Sequence, residues 1–224
     1  MLAKYLSYFF PIPVVKRKST LSKSLEVTWN NGQLVLDSAQ TNYSFGSLQR
    51  ILRKGLKYIG FERIRNFQEV LVLGVAGGSV IATLVEEIRF RGKITGVELD
   101  AEVLQVAKDY FQIDRYAQLE LIVEDAFSFV LRSQKKYDLI IIDIFQDTQM
   151  PPFLFEDFFM QHINRLLNID GFILFNTMVL SPEDAKRNAL YRQKFSDNYS
   201  VRMYPKVEEH NELFTIKKLA WWVW

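Results

Sequence analysis

The stretch Glu69-Val70-Leu71-Val72-Leu73-Gly74-Val75-Ala76-Gly77-Gly78-Ser79 decides the fold. Four consecutive apolar residues, Val70 to Leu73, suit a strand covered on both faces, as in a parallel sheet. Three glycines then break the run. Beyond them Val80, Ile81, Leu84, Val85 and Ile88 recur at helical spacing. Strand, glycine turn and helix in that order form the opening unit of an open α/β sheet. Such sheets bind ligands past the carboxyl ends of their strands.

The same alternation continues outward. Residues 93–98 read as a second strand, and Val103, Leu104, Ala107, Tyr110 and Phe111 as the helix after it. Residues 119–123 form a third strand, followed by a short helix over 126–132. Residues 138–143 are a fourth strand, apolar between its two aspartates. Phe155, Phe158, Phe159, Ile163, Leu166 and Leu167 mark a helix closed by Asp170-Gly171, and 171–176 a fifth strand. Upstream, residues 47–60 read as a helix. Strand–helix alternation of this kind predicts a doubly wound parallel sheet. The end differs: after a helix near 183–196, residues 199–204 and 213–217 suit an antiparallel hairpin linked by 205–212. Residues 1–45 also differ. Two β-rich runs flank Asn30-Asn31-Gly32, a hairpin signal. The chain thus divides into an N-terminal β-hairpin region, 1–45, and a main domain, 46–224.

Composition narrows the chemistry. The 224 residues include 28 Lys plus Arg and 26 Asp plus Glu, a net charge of +2, with two His and no Cys. A disulfide framework, a thiol nucleophile and a Cys-ligated metal are excluded, and no metal is expected. Balanced charge argues against nucleic acid as a partner. The basic residues Arg50, Arg53, Lys54, Lys57, Arg63 and Arg65 read as a solvated helix face. No run reaches the roughly 20 apolar residues of a membrane span, and the aromatic start, broken by Pro11 and Pro13, does not read as a signal peptide. The expectation is a cytoplasmic protein with no membrane contact. Aromatic residues near the start, and Trp221, Trp222 and Trp224 at the end, point to a homodimer.

Four strand ends carry candidate chemistry. Gly74, Ala76, Gly77 and Gly78 form a turn that lets backbone approach a ligand. Glu98 lies 20 residues after Gly78, the spacing at which an acid accepts bonds from ribose hydroxyls. Leu99 and Asp100 follow it, and Asp100 reads as a helix cap. Asp125, with Ala126 behind it, serves equally as an adenine-side acceptor or as another helix cap. Asp143 ends the fourth strand, near the sheet centre, where it orients or deprotonates a nucleophile. Asp147 stands close behind, in a loop placed to cover the site.

Together these strand ends resemble a class I S-adenosylmethionine-dependent methyltransferase, and within that superfamily the spermidine synthase-like group. The likeness covers roughly residues 25–218 and rests on Leu34-Val35-Leu36-Asp37, Val72-Leu73-Gly74-Val75-Ala76-Gly77-Gly78, Val97-Glu98-Leu99-Asp100, Glu124-Asp125-Ala126 and Tyr137-Asp138-Leu139-Ile140-Ile141-Ile142-Asp143, and ends in Asn211-Glu212-Leu213-Phe214. It implies a Rossmann-like, mostly parallel seven-stranded sheet with an antiparallel C-terminal hairpin, preceded by a small β unit. It implies S-adenosylmethionine or its decarboxylated form as cofactor. Glu98 then matches the ribose acid, Asp125 the adenine-side acid and Asp143 the aspartate that helps deprotonate an attacking amine. Gly77 stands near the place of a family aspartate, and Phe45-Gly46-Ser47 replaces a Tyr-His-Glu contact. Because a polycation needs several carboxylates, the expected reaction is methyl or other alkyl transfer to a small amine or hydroxyl acceptor. Polyamine aminopropyl transfer is the alternative; a non-catalytic nucleoside-binding module and an RNA methyltransferase are further ones. A nicotinamide dehydrogenase fits poorly, since its fingerprint wants glycine at Ala76 and Ser79.

Overall fold

The computed structural model describes residues 2–19, 21, 24–38, 42–145 and 149–220. Asp147 and the C-terminal tryptophans 221, 222 and 224 lie outside the described residues.

A short helix α1 (Leu2–Leu6) precedes an antiparallel sheet in the order β1 (Ile12–Arg17), β2 (Leu25–Asn30), β3 (Gln33–Ser38) and β4 (Asn42–Ser44). The Asn-Asn-Gly signal forms its central turn. Asn31 and Gly32 both take positive φ, 50° and 75°, which matches the twist of a two-residue hairpin. The N-terminal unit is therefore larger than the single hairpin read from sequence, because β1 and β4 extend it on both sides. Leu25, Val27 and Leu36 pack against Val103 and Val106 of the main domain.

In the main domain, α2 (Gly46–Ile59) and α3 (Phe61–Arg65) lead into β5 (Glu69–Leu73) and α4 (Ser79–Ala82). Then come β6 (Lys93–Glu98), α5 (Ala101–Phe111), β7 (Leu119–Val123), α6 (Ala126–Arg132), β8 (Tyr137–Ile142), α7 (Asp157–Leu166), β9 (Leu167–Met178), α8 (Pro182–Gln193), β10 (Tyr199–Glu208) and β11 (Asn211–Lys218). They form one seven-stranded sheet in the order β10-β11-β9-β8-β5-β6-β7, in which β11 alone runs antiparallel, between β9 and β10. Alternation along each strand separates two cores. Val70, Val72, Leu139, Ile141 and Leu174 face α2, α4 and α5. Leu71, Leu73, Ile140, Ile142 and Phe175 face α6, α7 and α8. Each fully buried side chain of this size contributes about 1.5–3 kcal/mol, so β5 and β8 anchor the sheet. The chain moves from β5 to β7 in one direction and crosses back to β8, which makes the β5/β8 boundary the topological switch point.

Three boundaries differ from the sequence reading. The helix before the fifth strand ends at Leu166, and Asp170-Gly171 lies inside β9. Register jumps there from Tyr137↔Leu167 to Leu139↔Phe172, and Asp170 takes φ 62°. Asp138 stabilises the bulge: it accepts from Asn168 Nδ2 at 2.7 Å and from the Gln68 N–H at 2.7 Å. The C-terminal hairpin turns at Glu209-His210 alone, so its strands run further than predicted. The helix after the glycine turn opens into a π-turn over Thr83–Glu87.

Candidate active site

Sheet topology brings Gly74 and Asp143 together. The Asp143 N–H donates to Leu73 O and the Gly74 N–H to Val97 O, each at 2.9 Å, so the three strand ends stay laced just past their last paired residues. Gly74 has φ 87°, and a Cβ there would sit 2.1 Å from the Asp143 carbonyl oxygen. Only glycine meets both demands. The turn after β5 is thereby clamped to the end of β8.

Glu98 closes the turn from the other side. Its Oε2 accepts from the Val75 and Ala76 N–H groups, both at 3.0 Å. Its Oε1 accepts from the Leu99 and Asp100 N–H groups at 2.9 and 3.2 Å. Ala76 sits at φ 48° to present its N–H. Burial raises the Glu98 pKa, opposed by these four backbone donors. The sequence reading left this carboxylate free for a ribose. It is engaged four times, because the turn it closes needs its stray N–H groups satisfied.

Asp143 has a different environment. Its Oδ1 accepts from Asn176 Nδ2 at 2.8 Å, and Asn211 Nδ2 donates to Asn176 Oδ1 at 3.0 Å. Among the described residues no cation pairs with it. Desolvation, aided by the nearby Glu98 charge and opposed by the Asn176 hydrogen bond, pushes its pKa from 3.8 up to about 7. A carboxyl half-protonated near neutrality, with no counter-ion, is poised to exchange a proton and to receive a cationic ligand.

The remaining candidates fall into place around this pair. Asp125 caps α6, its Oδ1 accepting from the Ser128 N–H at 2.9 Å. Ala126 opens that helix, and Leu99, 43% exposed, offers an apolar surface next to Glu98. Asp100 caps α5 through the Glu102 N–H at 2.9 Å, and the Ser19 hydroxyl also donates to it. Gly77 and Gly78 complete the same turn. They line a pocket of about 520 Å³ with Phe45, Gln49, Phe111 and Arg115, whose walls include none of Glu98, Asp125 and Asp143. A Cβ on Gly77 would lie 2.8 Å from that of Ser44, whose hydroxyl accepts from the Ser79 N–H at 3.3 Å. The N-terminal sheet thus seals this part of the turn. Most of the basic face over residues 50–65 is committed to partners within the fold: Arg50 to Glu208, Arg53 to Glu87 and Arg65 to Glu62.

Sequence reasoning assigned no role to Asn176 and Asn211. The signal for Asn176 is an amide directly after the apolar run Phe172 to Phe175, and it is fully buried.

The sequence pattern of the spermine/spermidine synthase domain matches residues 51–216. The chain belongs to that family. A polyamine aminopropyltransferase of Vibrio vulnificus is 28% identical over 61% of this chain and 46% of its own length. The chain spans less than half the length of the curated relatives it matches. A probable spermidine synthase from Corynebacterium glutamicum superimposes with a TM-score of 0.76 at 16% identity, over 92% of this chain and 80% of that one. Human methyltransferase-like protein 13, solved in complex with SAH, gives 0.64 at 19% identity, over 78% and 83%. These likenesses show the Rossmann-like methyltransferase fold, with its parallel sheet and antiparallel C-terminal hairpin. The named relatives favour the aminopropyl-transfer alternative over methyl transfer to an unidentified small molecule.

Proposed function

We propose that the rim formed by β5, β6, β7 and β8 binds an adenosyl sulfonium, and that Asp143 takes a proton from an amine acceptor during alkyl transfer. Decarboxylated S-adenosylmethionine is the donor this reading favours, which makes the reaction an aminopropyl transfer. The observation that carries it is Asp143 itself: clamped against Gly74, bonded to the Asn176 amide, without a cationic partner among the described residues, and pushed up to about 7 by desolvation.

The donor set fits a cation carrying a nucleoside. Glu98 and Asp143 place two carboxyl groups at the ends of β6 and β8, on either side of β5, and a sulfonium between them offsets their mutual repulsion. Glu98 accepts from ribose hydroxyls by exchanging some of its backbone donors for them. Leu99 and Ala126 flank the base, and the second oxygen of Asp125 faces its amino group. Gly74 and Ala76 allow the backbone to lie close. When bound, the sulfonium supplies an electrophilic carbon attached to a good thioether leaving group. Asp143 accepts the proton that the attacking amine must lose, while Asn176 and Asn211 fix which carboxyl oxygen remains free. Positioning of this kind supplies much of the acceleration in such displacements.

Methyl transfer from S-adenosylmethionine is a second reading. It is favoured by Gly77, which adds no carboxylate where a diamine would gain from one. Ligand-induced thermal stabilisation separates the two. The proposal expects decarboxylated S-adenosylmethionine and methylthioadenosine to raise the melting temperature more than S-adenosylmethionine and its demethylated product do. The reverse order supports methyl transfer, and no shift with any of the four sinks both readings.

A further inference from the structure

Fifteen large apolar side chains stand exposed among the described residues, and seven of them fall within residues 2–14. Four of the seven are aromatic: Tyr5, Tyr8, Phe9 and Phe10. Phe9 is 84% exposed and Leu2 73%. Singly exposed apolar residues are ordinary, but such a concentration marks an interaction surface.

The segment is held in place. Ser7, 2% exposed, donates from its hydroxyl to Lys4 O at 2.7 Å and accepts from the Gly32 N–H at 2.9 Å. The Asn31 N–H donates to Ser7 O at 3.0 Å. The tip of the β2–β3 hairpin therefore pins the segment at its middle: the Tyr8 ring lies over Gly32, while Tyr5, Phe9 and Phe10 stay exposed.

Charge is distributed to match. Residues 1–25 contain five basic residues and no acidic one, while the other 199 contain 23 basic and 26 acidic. Lys16 pairs with Glu26 and Arg17 with Asp109, but Lys4 and Lys18 have no carboxylate partner among the described residues.

We propose that residues 2–14 form a peripheral docking surface for an anionic lipid bilayer, with the aromatic rings at headgroup depth and the basic side chains on the lipid phosphates. Aromatic residues favour that depth, and cations beside them add attraction to anionic headgroups. The segment lies along the interface and does not cross it. The helix α1 has five residues, Pro11 and Pro13 follow, and no helix among the described residues is long and apolar enough to span a membrane. A second copy of the chain fits this surface less well. A two-fold contact places the same patch on both sides, so it would bring two acid-free, cationic segments together.

Co-sedimentation with vesicles tests the proposal. The full chain is mixed with phosphatidylcholine vesicles, with and without one-third phosphatidylglycerol. The expected result is partition at least about tenfold stronger onto the anionic vesicles, weakening with salt. Phe9→Asp with Phe10→Asp abolishes partition, and Lys4→Glu with Lys18→Glu reduces it to the level of neutral vesicles. Both pairs are exposed, so both variants keep the wild-type melting temperature. Absence of binding overturns the proposal, as does binding unchanged in the Phe9/Phe10 variant. A dimer that the Phe9/Phe10 variant splits, without vesicle binding, assigns the surface to a second copy instead.

Discussion

Replacing Asp143 with Asn stabilises the protein at alkaline pH. Burial holds the folded pKa of Asp143 near 7, against an ordinary value of 3.8 that the unfolded chain regains. Between those values the folded state keeps a proton that the unfolded state has lost. The stability conferred by that proton is complete below about pH 4 and falls by about 1.4 kcal/mol per pH unit as the pH rises. It levels off once the pH passes the folded pKa. Three units of displacement amount to about 4 kcal/mol. Asn is nearly isosteric, stays neutral and retains an oxygen for the Asn176 amide, so the variant escapes this slope. Urea unfolding, followed by circular dichroism for both proteins from about pH 5 to about pH 8.5, isolates the effect because titrations not coupled to Asp143 cancel in the difference. The stability difference should widen in favour of Asn by about 3 kcal/mol across that range, while alkyl-transfer activity is lost. Curves that run parallel would refute the reasoning: Asp143 would then ionise as an ordinary acid, and its role as a proton acceptor would lose its basis.

Asn176→Leu removes the one hydrogen bond that lowers the Asp143 pKa, so the rising limb of the pH–rate profile should move to higher pH; an unmoved limb would separate the amide from Asp143. Gly74→Ala combines a positive φ with a contact 2.1 Å from the Asp143 carbonyl. It should cost about 2–4 kcal/mol in urea unfolding, and a loss below about 1 kcal/mol would show that β8 yields readily. Glu98→Gln turns an amide toward backbone donors that now meet a carboxylate, at a cost of about 1–3 kcal/mol, and it should abolish nucleoside-induced thermal stabilisation. Asp125→Ala removes a helix cap worth about 1 kcal/mol and should weaken nucleoside binding beyond that structural cost, which titration calorimetry on the folded variant resolves.

The parallel sheet was legible because β5 and β8 are apolar on both faces, and that pattern has few other solutions. The C-terminal hairpin was legible from the short polar link between two strand-like runs, although that link was read as 205–212 and the turn is Glu209-His210. The β9 bulge was not legible: Asp170-Gly171 reads as a helix stop, and only the pairing of Asp138 with Asn168 shows that the strand has already begun. In the site, Glu98 and Asp143 were visible as acids at strand ends. Their different states were not, because one carboxyl gathers four backbone donors and the other a single amide. Two of the Glu98 donors come from the turn after β5 and the Asp143 amide comes from β9, all distant in sequence. The contact of Ser44 with the glycine turn was equally hidden, since it reaches across from the N-terminal sheet.

The most direct measurement is mass balance in a single reaction mixture. The protein, decarboxylated S-adenosylmethionine and a diamine such as putrescine are incubated together and analysed by mass spectrometry. The structure predicts equal amounts of methylthioadenosine and aminopropylated amine, with both lost in Asp143→Asn. Methylthioadenosine and aminopropylated amine formed equally well by Asp143→Asn, or no product from protein that binds the nucleoside tightly, would contradict it.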